Sequence, residues 1–76
     1  MKRNNLDIEA DILDIARTGT RKTWIVYGAN LNFNIVKKYI AGLLHRGFLK
    51  YDGNLYTTTP KGKEYMNRIN EIQVFQ

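Results

Sequence analysis

The 76-residue sequence contains no cysteine, a single histidine, a single proline and only seven acidic residues. Without cysteine there can be no disulfide, and His45 alone cannot supply the clustered imidazole and thiolate ligands of a zinc site. No apolar run approaches the roughly 18 residues of a membrane-spanning helix. The basic start Met1-Lys2-Arg3-Asn4-Asn5 leads into acids rather than the apolar stretch of a signal peptide. These absences predict a cytoplasmic protein with no metal, no cofactor, no membrane contact and no evident small-molecule ligand. A chain of this length buries only about 60% of its unfolded surface, so its core is marginal. Disulfides, metals and second subunits are the usual remedies. With the first two excluded, a homodimer is expected.

Negative charge is also scarce beyond the first segment. Asp7, Glu9, Asp11 and Asp14 are four of the seven acids, whereas Ile15 to Lys63 holds one acid, Asp52, against nine bases, a net +8. Such segregation marks a surface for a polyanion, although a merely solvated basic face would look the same. Catalysis has no foothold. The sequence has no carboxylate pair, His/Cys/Asp ligand spacing, nucleophile elbow or Gly-rich phosphate loop. The acids suit the positive end of a helix dipole and need no chemistry to explain them.

What is present is periodic. Ile8, Ile12, Leu13, Ile15 and Ala16 predict a helix over about 6–18, capped by Asn5 and stopped at Gly19. A short helix with Thr20 as cap and Thr23 to Tyr27 as body comes next, then a break over Gly28 to Leu31. The third helix, about 32–46, buries Phe33, Val36, Ile40, Leu43 and Leu44. At 100° per residue the opposite face carries Asn34, Ile35, Lys38, Ala41, Gly42 and His45, with Lys37 and Tyr39 at its margins. Phe48 to Tyr51 and Leu55 to Thr58 read as strands around the turn Asp52-Gly53-Asn54. Thr59 and Pro60 then open a last helix with Tyr65, Met66, Ile69 and Ile72 along one stripe, which Val74 and Phe75 extend. That helix runs about 17 residues, roughly 25 Å, which is long for so small a body to cover.

The expected architecture is therefore mainly α (α+β), one domain over 1–76, in the order helix-helix-helix-strand-strand-helix. This is the winged helix-turn-helix arrangement, with residues 59–76 as a C-terminal dimerisation helix. In it the third helix enters the major groove of double-stranded DNA, while basic side chains and helix N-termini hold phosphates. Asn32, Asn34, Ile35, Lys38, Tyr39 and Ala41 are the candidates for base edges, since an asparagine amide can pair with adenine and a lysine can reach guanine. Thr20, Arg21, Lys22, Lys37, Lys50 and Lys61 are the phosphate candidates, Asp52, Gly53 and Asn54 form the wing tip, and Tyr65, Met66, Ile69, Ile72 and Phe75 form the dimer interface. Trp24 and Tyr27 read as packing residues, with contact to DNA as the alternative, and His45 as a C-terminal cation on its helix. Gly42 either admits a DNA backbone or permits tight packing at the wing.

The stretch from Arg21 to Phe33 resembles the signature of short archaeal winged-helix regulators, a T-x-I-x-Y-x-A-N-L core matched by Thr23, Ile25, Tyr27, Ala29, Asn30 and Leu31. Lys37 to Ile40, Leu43-Leu44, Gly47 to Leu49, and Tyr56 with Thr59, Lys61 and Gly62 extend the similarity over about residues 10–70. The resemblance implies a dimeric DNA-binding protein paired through its C-terminal helix and sometimes its first, and such a protein is expected in the cytoplasm, associated with the nucleoid. It covers both regulators and chromatin architecture. Gly28, Gly42 and Thr58 depart from the pattern, the glycines replacing larger residues and Thr58 standing where leucine is usual. Three roles follow: sequence-specific control of transcription by occupying a palindromic operator, non-specific nucleoid architecture, or a winged helix used for protein contact.

Overall fold

Asn4, not Asn5, starts the first helix, and the reason lies three residues on. Its side chain accepts from the amide of Asp7 at 2.8 Å, while the Asp7 carboxylate accepts from the Asn4 amide at 3.3 Å. Starting one residue later would place Ile8 in that reciprocal position, where it could not accept. The structure, a computed structural model, describes residues 4–74. Its elements are α1 (Asn5–Ile15), α2 (Lys22–Ala29), α3 (Phe33–His45), β1 (Leu49–Tyr51), β2 (Tyr56–Thr58) and α4 (Pro60–Val74), the order the sequence predicts.

The first helix ends sooner than expected because β2 satisfies its last carbonyls. Thr58 donates its amide to the Ala16 carbonyl at 2.9 Å and its hydroxyl to the Leu13 carbonyl at 2.6 Å. The family's leucine could not make the second bond, so the departure at Thr58 closes a helix end. Gly19 then carries the chain around with φ +98°.

Thr20 is not the cap of α2. It is drawn into a backbone bridge with Tyr56, N–H to O at 2.9 and 2.7 Å in the two directions, and Arg21 occupies the cap position without a side-chain bond. Gly28 does not break α2 either. The helix runs through it to Ala29, and the close approach of Ile15 accounts for the glycine: a β-carbon there would be 2.8 Å from the Ile15 Cδ1 atom. The left-handed turn falls at Asn30, φ 56°.

Asn32 caps α3, its side chain accepting from the Ile35 amide at 2.9 Å. At the other end the Phe48 amide returns to the Leu43 carbonyl at 2.9 Å. The two strands pair antiparallel in the register Leu49↔Thr58, Lys50↔Thr57, Tyr51↔Tyr56. Each is one residue shorter than expected, with Phe48 and Leu55 left outside the ladder. Thr59 caps α4 as its chemistry predicts, accepting from the Gly62 amide at 3.0 Å.

Ile12, Leu13, Ile25, Val36, Leu43 and Ile69 are the largest fully buried side chains and come from all four helices. Each contributes about 1.5–3 kcal/mol by leaving water, so α4 is part of the core that holds α3 in place. Phe33 does not join this core. It is 51% exposed, because the buried stripe of α3 runs through Val36, Ile40 and Leu43 and leaves Phe33 at its edge, in the first turn. Trp24 and Tyr27 likewise stay out of the core: they stand 62% and 80% exposed on α2, edge to face with each other.

Candidate nucleic-acid interface

Burial of Val36, Ile40 and Leu43 fixes the rotation of α3 about its axis and turns its other side outward. Asn34, Lys37, Lys38 and Ala41 line a shallow depression on that side, and all four are exposed. The helix carries no acid, so no carboxylate on it opposes a phosphate or accepts from a cytosine amino group. Ile35 is also open, at 40%. Gly42 has no neighbour within 4 Å of where a β-carbon would stand, which removes tight packing at the wing as the reason for glycine.

Two expected base readers are occupied elsewhere. The Asn32 side-chain oxygen is committed to its cap, which leaves at most its amide nitrogen for a base. Tyr39 is half-buried and turned toward α1, its hydroxyl donating to the Asn5 side chain at 2.6 Å. Its position between the exposed and buried faces let it pack inward, and it leaves the outer face of α3.

Arg21 and Lys22 stand at the start of α2, with Arg21 exposed. The Lys22 ammonium lies 5.4 Å from the centroid of Phe33 and 6.0 Å from that of Tyr56, and Tyr56 stacks on Tyr51 at 4.4 Å. A continuous seam of aromatic rings and one cation thus runs from the first turn of α3 to the wing. Lys37 and Lys50 are exposed on α3 and β1. Thr20 is half-buried with its backbone taken up by Tyr56. Lys61 is not part of this group. Its ammonium donates to the Arg46 carbonyl at 3.1 Å and covers the Phe48 ring at 5.4 Å, at the far end of the 13-residue α3, about 20 Å from its N-terminus.

The wing tip is a tight turn. The Asp52 carboxylate accepts from the amides of Asn54 at 2.9 Å and Leu55 at 2.8 Å, and Gly53 supplies φ +95°. The Leu55 bond, then the Asn54 bond, hold the Asp52 carboxyl below its ordinary value, so the tip carries a negative charge at neutral pH. Such a tip does not suit insertion into a minor groove.

The expected dimer residues are divided. Met66 and Ile69, 3% and 2% exposed, are consumed by the chain's own core, because α4 packs on α1. They are not free to meet a partner. Tyr65 is half-buried, its hydroxyl donating to Glu9 at 2.6 Å. Ile72 stands 51% exposed, and Phe75 lies outside the described residues.

Glu9 is the group that sequence reasoning missed. It looks like one more surface acid on α1, yet it is buried and its carboxylate takes bonds from both Arg46 and Tyr65. The Phe48 and Tyr65 rings stack at 4.2 Å beneath the Arg46 guanidinium. The cluster ties α1, the end of α3, the start of the wing and α4 together. Its partners lie 37 and 56 residues from Glu9 in sequence, beyond any local pattern. Among the described residues, no three His, Asp or Glu side chains stand close enough to hold a metal ion, and no helix is long and apolar enough to cross a membrane.

Comparison with known proteins agrees with this fold. The winged helix-turn-helix family matches residues 2–76. Two uncharacterized proteins of Methanocaldococcus jannaschii are similar: MJ0290, 34% identical over 73 residues, and MJ0287, 33% identical over 72. The alignments cover 95% and 93% of this chain, but 35% of MJ0290 and 74% of MJ0287. Among solved structures, the crystal structure of Sso10a-2, a DNA-binding protein from Sulfolobus solfataricus, superposes with a TM-score of 0.87 at 30% identity, covering 96% of this chain and 81% of that one.

Proposed function

The chain belongs to the winged helix-turn-helix family, and from that premise we propose that it is a non-catalytic, sequence-specific binder of double-stranded DNA that acts as a homodimer to control transcription. The observation that carries the proposal is the outer face of α3. Asn34, Lys37, Lys38 and Ala41 stand exposed on an acid-free helix whose N-terminus adjoins Arg21 and Lys22. Amide and ammonium groups are the chemistry that reads adenine and guanine edges in a major groove, and cations beside a helix N-terminus are suited to phosphates. Sso10a-2, similar over nearly the whole chain, is described as a DNA-binding protein.

Pairing is proposed through the later turns of α4, where Ile72 is exposed. A dimer would present two α3 helices to half-sites about 34 Å apart, one helical turn of DNA.

Selection of bound duplexes from a random pool at physiological salt tests the proposal. A regulator holds its selected site at least ~10³-fold tighter than random DNA, and its affinity falls steeply with salt as phosphate counterions are released. A ratio near one would replace the regulator with an architectural protein. An affinity indifferent to salt would remove DNA as the partner in favour of another protein.

A further inference from the structure

Phe33 is the first residue of α3 and half of its surface is open to solvent. Among the described residues the chain covers only about half of this aromatic ring, and the open half is apolar surface that a partner could cover. Lys22 lies over the ring at 5.4 Å from its centroid and limits where it can turn. In helix-turn-helix proteins the N-terminal residues of the second helix meet base edges. The major-groove edges of the four bases carry donors and acceptors, together with one methyl group, that on C5 of thymine. An exposed apolar side chain at a base-facing position has only that group to match. Ile35, 40% exposed in the same turn, and Ala41 on the outer face add further apolar surface. The same helix offers the Asn34 amide for adenine and no carboxylate for the cytosine amino group.

We propose that Phe33 is a specificity-determining residue that packs on thymine C5-methyl groups, so that the helix favours A·T pairs read from the major groove. Lys22 acts beside it as a positioning residue, holding the ring against the groove from the α2 side. The inference rests on the DNA-binding reading given above and sharpens it to a base chemistry.

The test uses two duplexes that differ only in those methyls, alternating d(AT) and alternating d(AU) of equal length, with the full chain and binding followed by anisotropy. Burying one methyl is worth about 0.8 kcal/mol, about fourfold in affinity. The chain should therefore bind d(AT) at least fourfold tighter than d(AU). Phe33→Ala should bring that ratio close to one, and with so exposed a side chain it should leave the circular dichroism spectrum unchanged. Lys38→Ala should weaken both duplexes and leave the ratio as it was. Equal binding of the two duplexes by the wild-type chain would overturn this inference alone, as would a ratio that survives Phe33→Ala. Binding to neither duplex, nor to any other DNA, would overturn the DNA-binding reading itself.

Discussion

The carbonyl oxygen of Phe48 lies so close over Gly62 that a β-carbon built on that glycine would stand 2.1 Å from it. The approach fastens the first turn of α4 to the start of the wing. Around it the Thr59 hydroxyl donates to the Gly47 carbonyl at 2.7 Å, and the Thr59 amide donates to Phe48 at 3.0 Å. The obstacle is backbone, so no change of rotamer can relieve it. Gly62→Ala should cost at least the ~1–3 kcal/mol usual for overpacking, read as a lower urea midpoint. Gly42→Ala should do the opposite. Its β-carbon would meet nothing within 4 Å, and alanine in a helix interior is favoured over glycine by about 1 kcal/mol. Equal midpoints for the two variants would show that the contact is not as close as drawn.

Tyr65 gives stability an alkaline limit. Its hydroxyl is pushed above its ordinary value of 10.0, by burial first and then by its hydrogen bond to Glu9. The fold therefore favours the neutral phenol. Its contribution is complete below pH 10 and is lost as pH rises through the raised folded-state value. Tyr65→Phe should be less stable than wild type at pH 8, and the gap should narrow as pH climbs past 10. A gap independent of pH would mean that the phenol titrates alike in both states.

If the chain pairs through α4, Ile72→Asp should lower its sedimentation mass to that of one chain while leaving its helical circular dichroism intact. Ile69→Asp should instead unfold it, because Ile69 is 2% exposed within the protomer. A folded Ile72→Asp protein of unchanged mass would move the interface elsewhere.

Lys38, on the outer face of α3, and Lys61, on α4, should differ in their dependence on salt. Lys38→Ala should weaken duplex binding, and if Lys38 contacts a phosphate it should also reduce the slope of log K against log salt by about one. Lys61→Ala should leave that slope alone, because its ammonium is engaged with the Arg46 carbonyl away from the reading face. Matching slopes for the two variants would reverse the assigned orientation.

Much of the scaffold was legible in the sequence because it obeys local rules. Thirteen residues of α3 are enough to display a period, Thr59-Pro60 is a start signal, and Asp52-Gly53-Asn54 can only turn. The eight residues of α2 are too few to show which side is buried, so Trp24 and Tyr27 were expected inside. Phe33 fitted the stripe by spacing, but its place at the edge of the first turn decided its exposure. Thr20 and Thr58 are both claimed by distant backbone, Tyr56 in one case and α1 in the other. No window along the chain reveals such partners. The polar face of α3 could be read in advance, whereas the turning of Tyr39 toward Asn5 and of Lys61 toward Arg46 depended on neighbours distant in sequence.

The bonds from Thr58 to the end of α1 also bear on how the molecule breathes. A lone pair of three-residue strands is hardly stable in water, and such a ribbon would shed its amide protection in brief local fluctuations. Here the ribbon is sewn to the first helix at two points. Its amide protons should therefore exchange with heavy water only in the rarer event that loosens both together. The wing is then no arm that gropes along a duplex but a rigid flange that arrives with the rest of the body.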